Sequence, residues 1–189
     1  PDTFMTTRNW LNITQQVSIL CVMSFTMTLV MVGGDFDLSV GSMASLSGMI
    51  AAVLWQQDVS LFGALGTALL VGAFGGVFNG VLVAYAGLSA FVATLGTLTI
   101  FSGLALLVSN GKTIFGRAIP EIVGDFSRGG IPLAEGIQLP NLTLIAISVL
   151  ILMGIVLQHT VFGRNLHAVG GNREASLLAG VPVARLRLI

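Results

Sequence analysis

Apolar residues dominate five long stretches of the chain, at residues 12–32, 38–55, 60–84, 88–108 and 142–158, the last being the shortest. A hydrocarbon layer about 30 Å thick takes about 20 residues of helix to cross, so each stretch predicts a membrane span. The interruptions carry turn and interface residues: Gly33-Gly34 followed by two acids, Gln56-Gln57-Asp58, Tyr85-Ala86-Gly87, and a long mixed segment at 109–141. Lipid offers backbone groups no partner, and helices satisfy theirs internally. A barrel would need strands of about ten residues alternating apolar and polar; residues 65–71 and 149–156 show no alternation. The pattern therefore predicts an all-α polytopic transmembrane helical bundle, one domain over residues 1–189.

Within the third stretch Ala64, Ala68, Gly72, Gly76, Gly80 and Ala84 recur at every fourth residue. Small side chains along a helix let a neighbour approach closely, which makes Ala68, Gly72, Gly76 and Gly80 candidate packing positions. Gly41, Ala44, Ser45, Gly48 and Ala52 repeat the arrangement more loosely in the second stretch. Such faces pack helices in a bundle, or line a path through it.

Composition sharpens this picture. Charged residues are 8% of the chain, against roughly 25% in soluble domains, and none falls between Val59 and Gly111. The eight acids and eight bases cancel, leaving no basic face for phosphates, so nucleic acid is not an expected partner; membrane lipid is. Lys and Arg in short loops near span ends mark the cytoplasmic side. Residues 159–187 hold Arg164, Arg173, Arg185 and Arg187 against Glu174 alone, whereas 109–141 balances Lys112, Arg117 and Arg128 with Glu121, Asp125 and Glu135. The first segment is expected inside and the second outside. Counting back places 85–87 inside, 56–58 outside, 33–37 at the inner side or within the bilayer, and 1–11 outside.

Chemistry-bearing motifs are few. Cys21 is the only cysteine, so no disulfide framework or multi-cysteine metal site is available. His159 and His167 lack companions for a metal site, and no serine has an evident His/Asp team. Gly111-Lys112-Thr113 ends like a phosphate loop, but Leu106 stands where that pattern needs glycine. No cofactor, metal or catalytic residue is expected. The acidic break is different: Asp35 and Asp37 follow two glycines among apolar spans, where a charge is costly unless hydrated or paired. Asp37 is placed to cap the next helix with its carboxylate. The break is either such a capped start at the membrane surface or an unwound element lining a translocation path.

The run Asp37-Leu38-Ser39-Val40-Gly41-Ser42 resembles the signature of permease subunits from bacterial ABC importers of ribose, xylose, arabinose and galactose type. A second stretch, Phe162-Gly163-Arg164-Asn165-Leu166-His167-Ala168-Val169-Gly170-Gly171-Asn172, followed by Ala175, Gly180 and Val181, is similar to that family's cytoplasmic loop. Phe91-Val92-Ala93-Thr94-Leu95-Gly96-Thr97 and Ser109-Asn110-Gly111 match in order between them, so the resemblance runs from about Phe4 onward. It implies a multi-pass protein of the bacterial inner membrane that moves a monosaccharide, with Asp35, Asp37, Ser39 and Gly41 on the translocation path. It implies a separate ABC ATPase subunit, a periplasmic sugar-binding protein and a second permease copy. The family usually has glycine where this chain has Asp35, and the role of that acid is open. Its later spans are absent, Pro1 replaces an initiator Met, and residues 186–189 look like the start of another apolar run. The chain is therefore expected to be about half a permease, cut at both ends.

The loop at 159–187 also reads physically. Asn172 is a good N-cap, a short helix is expected over 173–179, Gly180 suits a left-handed C-terminal position, and Pro182 prevents continuation. In the resembling importers a cytoplasmic helix docks on the ATPase, which makes Gly171, Asn172, Arg173, Glu174, Ala175, Leu178 and Gly180 candidate coupling residues. An amphipathic surface helix is the alternative. Three rival functions stand beside the sugar importer: a branched-chain amino acid ABC permease, an ion-coupled secondary transporter using Asp35 and Asp37, and a non-transporting membrane scaffold, which fits the small-residue stripes but gives no account of the acidic break.

Overall fold

The computed structural model describes residues 4–134 and 137–188. Glu135 of the expected external loop, residues 1–3 of the expected external start, the side chain of Arg117 and the terminal Ile189 lie outside them. Among the described residues the chain forms helices α1 (Thr7–Val32), α2 (Val40–Gln56), α3 (Leu61–Ala84), α4 (Ala90–Val108), α5 (Glu121–Arg128), α6 (Asn141–His159), α7 (Val161–Gly171), α8 (Arg173–Leu178) and α9 (Val183–Leu188). A 3-10 turn at Gly116–Ala118 and an antiparallel hairpin of β1 (Gly130–Ala134) and β2 (Ile137–Pro140) complete it. The fold is all-α and polytopic.

Four helices, α1, α3, α4 and α6, are long and apolar enough to cross a membrane. Helix α1 begins ahead of its apolar run because the Thr6 hydroxyl caps it, accepting the Asn9 N–H at 3.3 Å. Helix α2 has 17 residues, about 25 Å at 1.5 Å per residue, which is shorter than the other four apolar helices and at the lower limit of about 17 residues for a crossing. Its expected first residues, Leu38 and Ser39, are instead bound into a turn. The segment at 109–141 is not a structureless loop: α5 and the hairpin fill it, and the Gln15 side chain of α1 donates to the Ser127 carbonyl at 2.7 Å.

Helix α2 packs on α4 and α3, and α1 packs on α6. Leu46, Phe101 and Ala105 form one small core, and Val83, Ala90 and Ala93 another. Many large apolar side chains face outward, among them Phe62 at 86% and Leu69 at 75% exposure, as lipid-facing helices require. The α1–α6 seam carries hydroxyls: Thr143 Oγ1 donates to Thr14 Oγ1 at 3.1 Å and lies 3.4 Å from Ser18 Oγ. Such interhelical hydrogen bonds act where hydrophobicity cannot distinguish helix from lipid.

The period-four stripe of α3 does not lie on one face. Each step of four residues rotates about 40° around an α-helix, so Ala64 and Gly80 point to nearly opposite sides. Ala64 is buried and Ala68 half-buried. Gly72 faces Ser47 Oγ at 3.4 Å from an added Cβ, Gly80 faces the Leu188 backbone at 2.7 Å, and Gly76 meets nothing within 4 Å. The close approach expected at Gly76 belongs to its neighbour Gly75, about three turns along the same face from Ala64, where a Cβ would overlap Met43.

Candidate functional site

Helix α1 ends in a motif that the two glycines dictate. Gly34 takes a left-handed φ of +83°, which a side chain would disfavour. Its N–H donates to the Met31 carbonyl at 3.0 Å while the Asp35 N–H reaches back to Val30 at 3.2 Å, satisfying the helix's last carbonyls. The break is thus a capped helix end followed by a tight turn.

Asp37 does not occupy the N-cap of α2; Ser39 does. The Asp37 Oδ1 accepts both the backbone N–H and the hydroxyl of Ser39, each at 2.7 Å. A carboxylate two residues upstream suits a turn better than a cap. Ser39 is 1% exposed, and its Oγ accepts a hydrogen bond from Asn79 Nδ2 of α3 at 2.7 Å. Asp37, Ser39 and Asn79 therefore form one chain joining the turn to the α2–α3 interface. Gly41 lies on the exposed face of the first turn of α2, with nothing within 4 Å of an added Cβ.

Asn79 escaped the sequence reading. It is the only amide side chain in α3, and a polar group inside an apolar span is a functional candidate by default; that signal was available. It is 6% exposed, and among the described residues its Oδ1 has no hydrogen-bond partner.

Asp35 faces the other way. Arg187 of α9 grips it with two parallel bonds, Nε to Oδ2 at 2.6 Å and Nη2 to Oδ1 at 2.8 Å, and donates Nη1 to the Val83 carbonyl of α3 at 3.3 Å. The side chains are 14% and 17% exposed for Arg187 and Asp35. Arg173 of α8 approaches Asp35 at 3.5 Å with a side chain 41% exposed; it is the peripheral member. Asp35, whose role the sequence left open, is thus bound to the arginine-rich segment at sequence separations beyond any local motif.

That segment is a packed unit. Helix α7 was not expected. Val169 of α7 joins Val183 and Leu186 of α9 in a small core, with Phe162 and Val181 against it. Leu166 touches Gly33, and Gly170 lies so close to α1 that an added Cβ would overlap the Val32 carbonyl. Asn172 caps α8, its Oδ1 accepting the Ala175 N–H at 2.9 Å. Gly180 ends it at φ +81°, with the Val181 N–H donating to the Ser176 carbonyl at 2.9 Å. Helix α8 turns Leu178, 91% exposed, and Leu177, 57% exposed, away from the bundle. Gly171, Asn172, Glu174, Ala175 and Gly180 are exposed beside them.

Residues 9–189 match the family described as the permease component of branched-chain amino acid transport systems. The chain is 34% identical over 193 residues to the ribose import permease protein RbsC of Escherichia coli (strain K12), covering 98% of this chain and 57% of that protein. It is 35% identical over 188 residues to the L-arabinose ABC transporter permease protein AraH of Azospirillum brasilense, covering 100% and 53%. The Bacillus subtilis (strain 168) ribose import permease protein RbsC is 33% identical over 186 residues, covering 98% and 56%. The chain thus spans a little over half the length of these relatives. No solved structure matches it. The signature turn, the long apolar helices and these likenesses agree, and the chain belongs to this family of multi-pass membrane permeases.

Proposed function

We propose that the chain is the membrane-spanning part of an ATP-driven importer for a monosaccharide in a bacterial inner membrane, supplying half of the translocation path. The observation that carries this reading is the α7–α9 unit: it is fixed to the spans on one side by Gly170, Leu166 and Arg187, while α8 projects an unburied apolar edge on the other. Among the described residues nothing covers Leu177 and Leu178, and an ATPase surface would cover them. The arginines of this end favour the cytoplasmic side. The relatives' names favour ribose- or arabinose-like solutes over amino acids.

At the opposite end an open cavity of about 310 Å³ lies between α1 and the hairpin, lined by Arg8, Asn12, Gln15, Arg128 and Gln138 among others. Guanidinium and amide groups of this kind suit the docking of a periplasmic sugar-binding protein. A second permease copy would complete the path.

The full-length permease, reconstituted with its ATPase and binding protein in proteoliposomes, should take up radiolabelled ribose or arabinose only with ATP; uptake of leucine but of neither sugar would reject the substrate class. Replacing Glu174 and Leu178 together by alanine should cut uptake at least tenfold while the ATPase still hydrolyses ATP. Coupled transport at the unaltered rate would remove α8 from the docking surface. A cysteine at position 173 should react with an impermeant maleimide only after the cells are opened.

A further inference from the structure

We propose that Asp35 is a positioning residue, the tether through which movement of the α7–α9 unit is delivered to the start of α2. This rests on the reading of α8 as the ATPase-docking helix. The turn at residues 33–37 is held from two directions. On one side Asp35 is bound in a fork by Arg187, which also fixes the end of α3 through the Val83 carbonyl. On the other side Asp37 holds Ser39, and Ser39 holds Asn79.

The other contacts of the unit with this end of α1, Leu166 on Gly33 and the Gly170 backbone against the Val32 carbonyl, seat it by close packing and stop short of Asp35. A two-bonded guanidinium–carboxylate pair is directional, because both N–H groups must remain in the plane of the carboxylate. Burial strengthens it, since neither side chain exceeds 17% exposure and water screens it little. A displacement of α9 therefore pulls on Asp35, and only Phe36 separates Asp35 from Asp37. The first turn of α2 follows. Asn79 Oδ1, buried and unpartnered in this arrangement, retains an acceptor that a shifted Ser39 or a newly admitted hydroxyl can fill. Coupling of this kind needs an element with two arrangements; the turn with its two carboxylates is that element.

The test uses the full-length permease with its ATPase and binding protein in proteoliposomes, reading sugar transported per ATP hydrolysed. Asp35→Asn should lower that ratio at least fivefold without lowering hydrolysis to match, and the swap of Asp35→Arg with Arg187→Asp should restore it to within twofold. An unchanged ratio in Asp35→Asn, or a swap that assembles but stays uncoupled, overturns the proposal. If Asp35→Asn does not assemble, the swap alone decides by the same criterion.

A second measurement does not depend on the ATPase. Spin labels on Leu177→Cys and Val77→Cys, in the permease alone with Cys21 and any further native cysteine replaced by serine, should give one narrow distance distribution, broadened in Asp35→Asn and narrowed again in the swap. An equally narrow distribution in Asp35→Asn overturns the tether. If the wild-type complex moves sugar without hydrolysing ATP, the docking reading fails while the distance result still judges the Asp35–Arg187 link.

Discussion

Gly170→Ala is expected to destabilise the permease by about 3 kcal/mol, the upper end of what forcing extra carbon into closed packing costs, whereas Gly171→Ala is expected to leave stability unchanged or raise it by up to about 1 kcal/mol. The two glycines are adjacent, and both lie in α7. Their surroundings differ completely. A Cβ on Gly170 would overlap the Val32 carbonyl oxygen and approach the Gly33 carbonyl carbon to 3.3 Å, while a Cβ on Gly171 would meet nothing within 4 Å. The obstacle at Gly170 is backbone that belongs to the capped end of α1, so it cannot rotate aside like a side chain. Relief requires α7 to withdraw from α1, which would also separate Leu166 from Gly33 and strain the Asp35–Arg187 fork. At Gly171 the methyl replaces a residue of poor helix propensity and reduces the conformational freedom that the unfolded chain has to lose. Thermal unfolding of the two variants in detergent, followed by loss of helical circular dichroism, measures the difference. Equal midpoints would mean that α7 does not sit against α1 as described. The same geometry predicts that Gly163→Ala is damaging too, since its Cβ would overlap the Leu157 carbonyl at the end of α6.

The contrast shows which features a linear reading can reach. Apolar runs and turn residues located the long helices, because length and charge silence are properties of contiguous sequence. The cap and stop of α8 were legible for the same reason: Asn172, Gly180 and Pro182 act on backbone within a few residues of themselves. Helix α7 was not, since Gly163, Gly170 and Gly171 lower its propensity and its stability comes from packing on α1, α6 and α9. The small-residue stripe does not mark a single face because a repeat of four drifts around a helix whose period is about 3.6, and among the described residues the close approach is at Gly75 and not Gly76. Asp35 stood out as a costly charge, yet its partner lies 152 positions away, and nothing near Asp35 specifies Arg187. Sequence could say that the acid needed pairing, not with what. For Asp37 the expected cap became a turn: its Oδ1 reaches the Ser39 N–H at 2.7 Å, and that bond shortens α2 from its first turn.

Removing the Ser39 hydroxyl should harm the protein more than removing both that hydroxyl and the amide it contacts. Ser39→Ala is expected to cost about 2–3 kcal/mol, since a buried polar group left without partners bears its full desolvation penalty. Asn79 already has no partner for Oδ1, and its Nδ2 bonds to Ser39 Oγ at 2.7 Å; without the serine the whole amide loses the contacts shown. Asn79→Leu alone should cost less than about 1 kcal/mol, because the lost hydrogen bond is offset by removal of the unmatched acceptor and a gain in apolar burial. Adding Asn79→Leu to Ser39→Ala should then recover about 1–2 kcal/mol, a non-additivity that residues without shared partners do not show. Reversible unfolding of the wild type, both single variants and the double variant closes the cycle. Additive losses would show that the amide is satisfied elsewhere, by water or by another span, and would separate α3 from the signature turn. Transport distinguishes the same possibilities: if the chain from Asp37 through Ser39 to Asn79 carries the movement, the stability-restored double variant should still import slowly, because its packing has returned and its link has not.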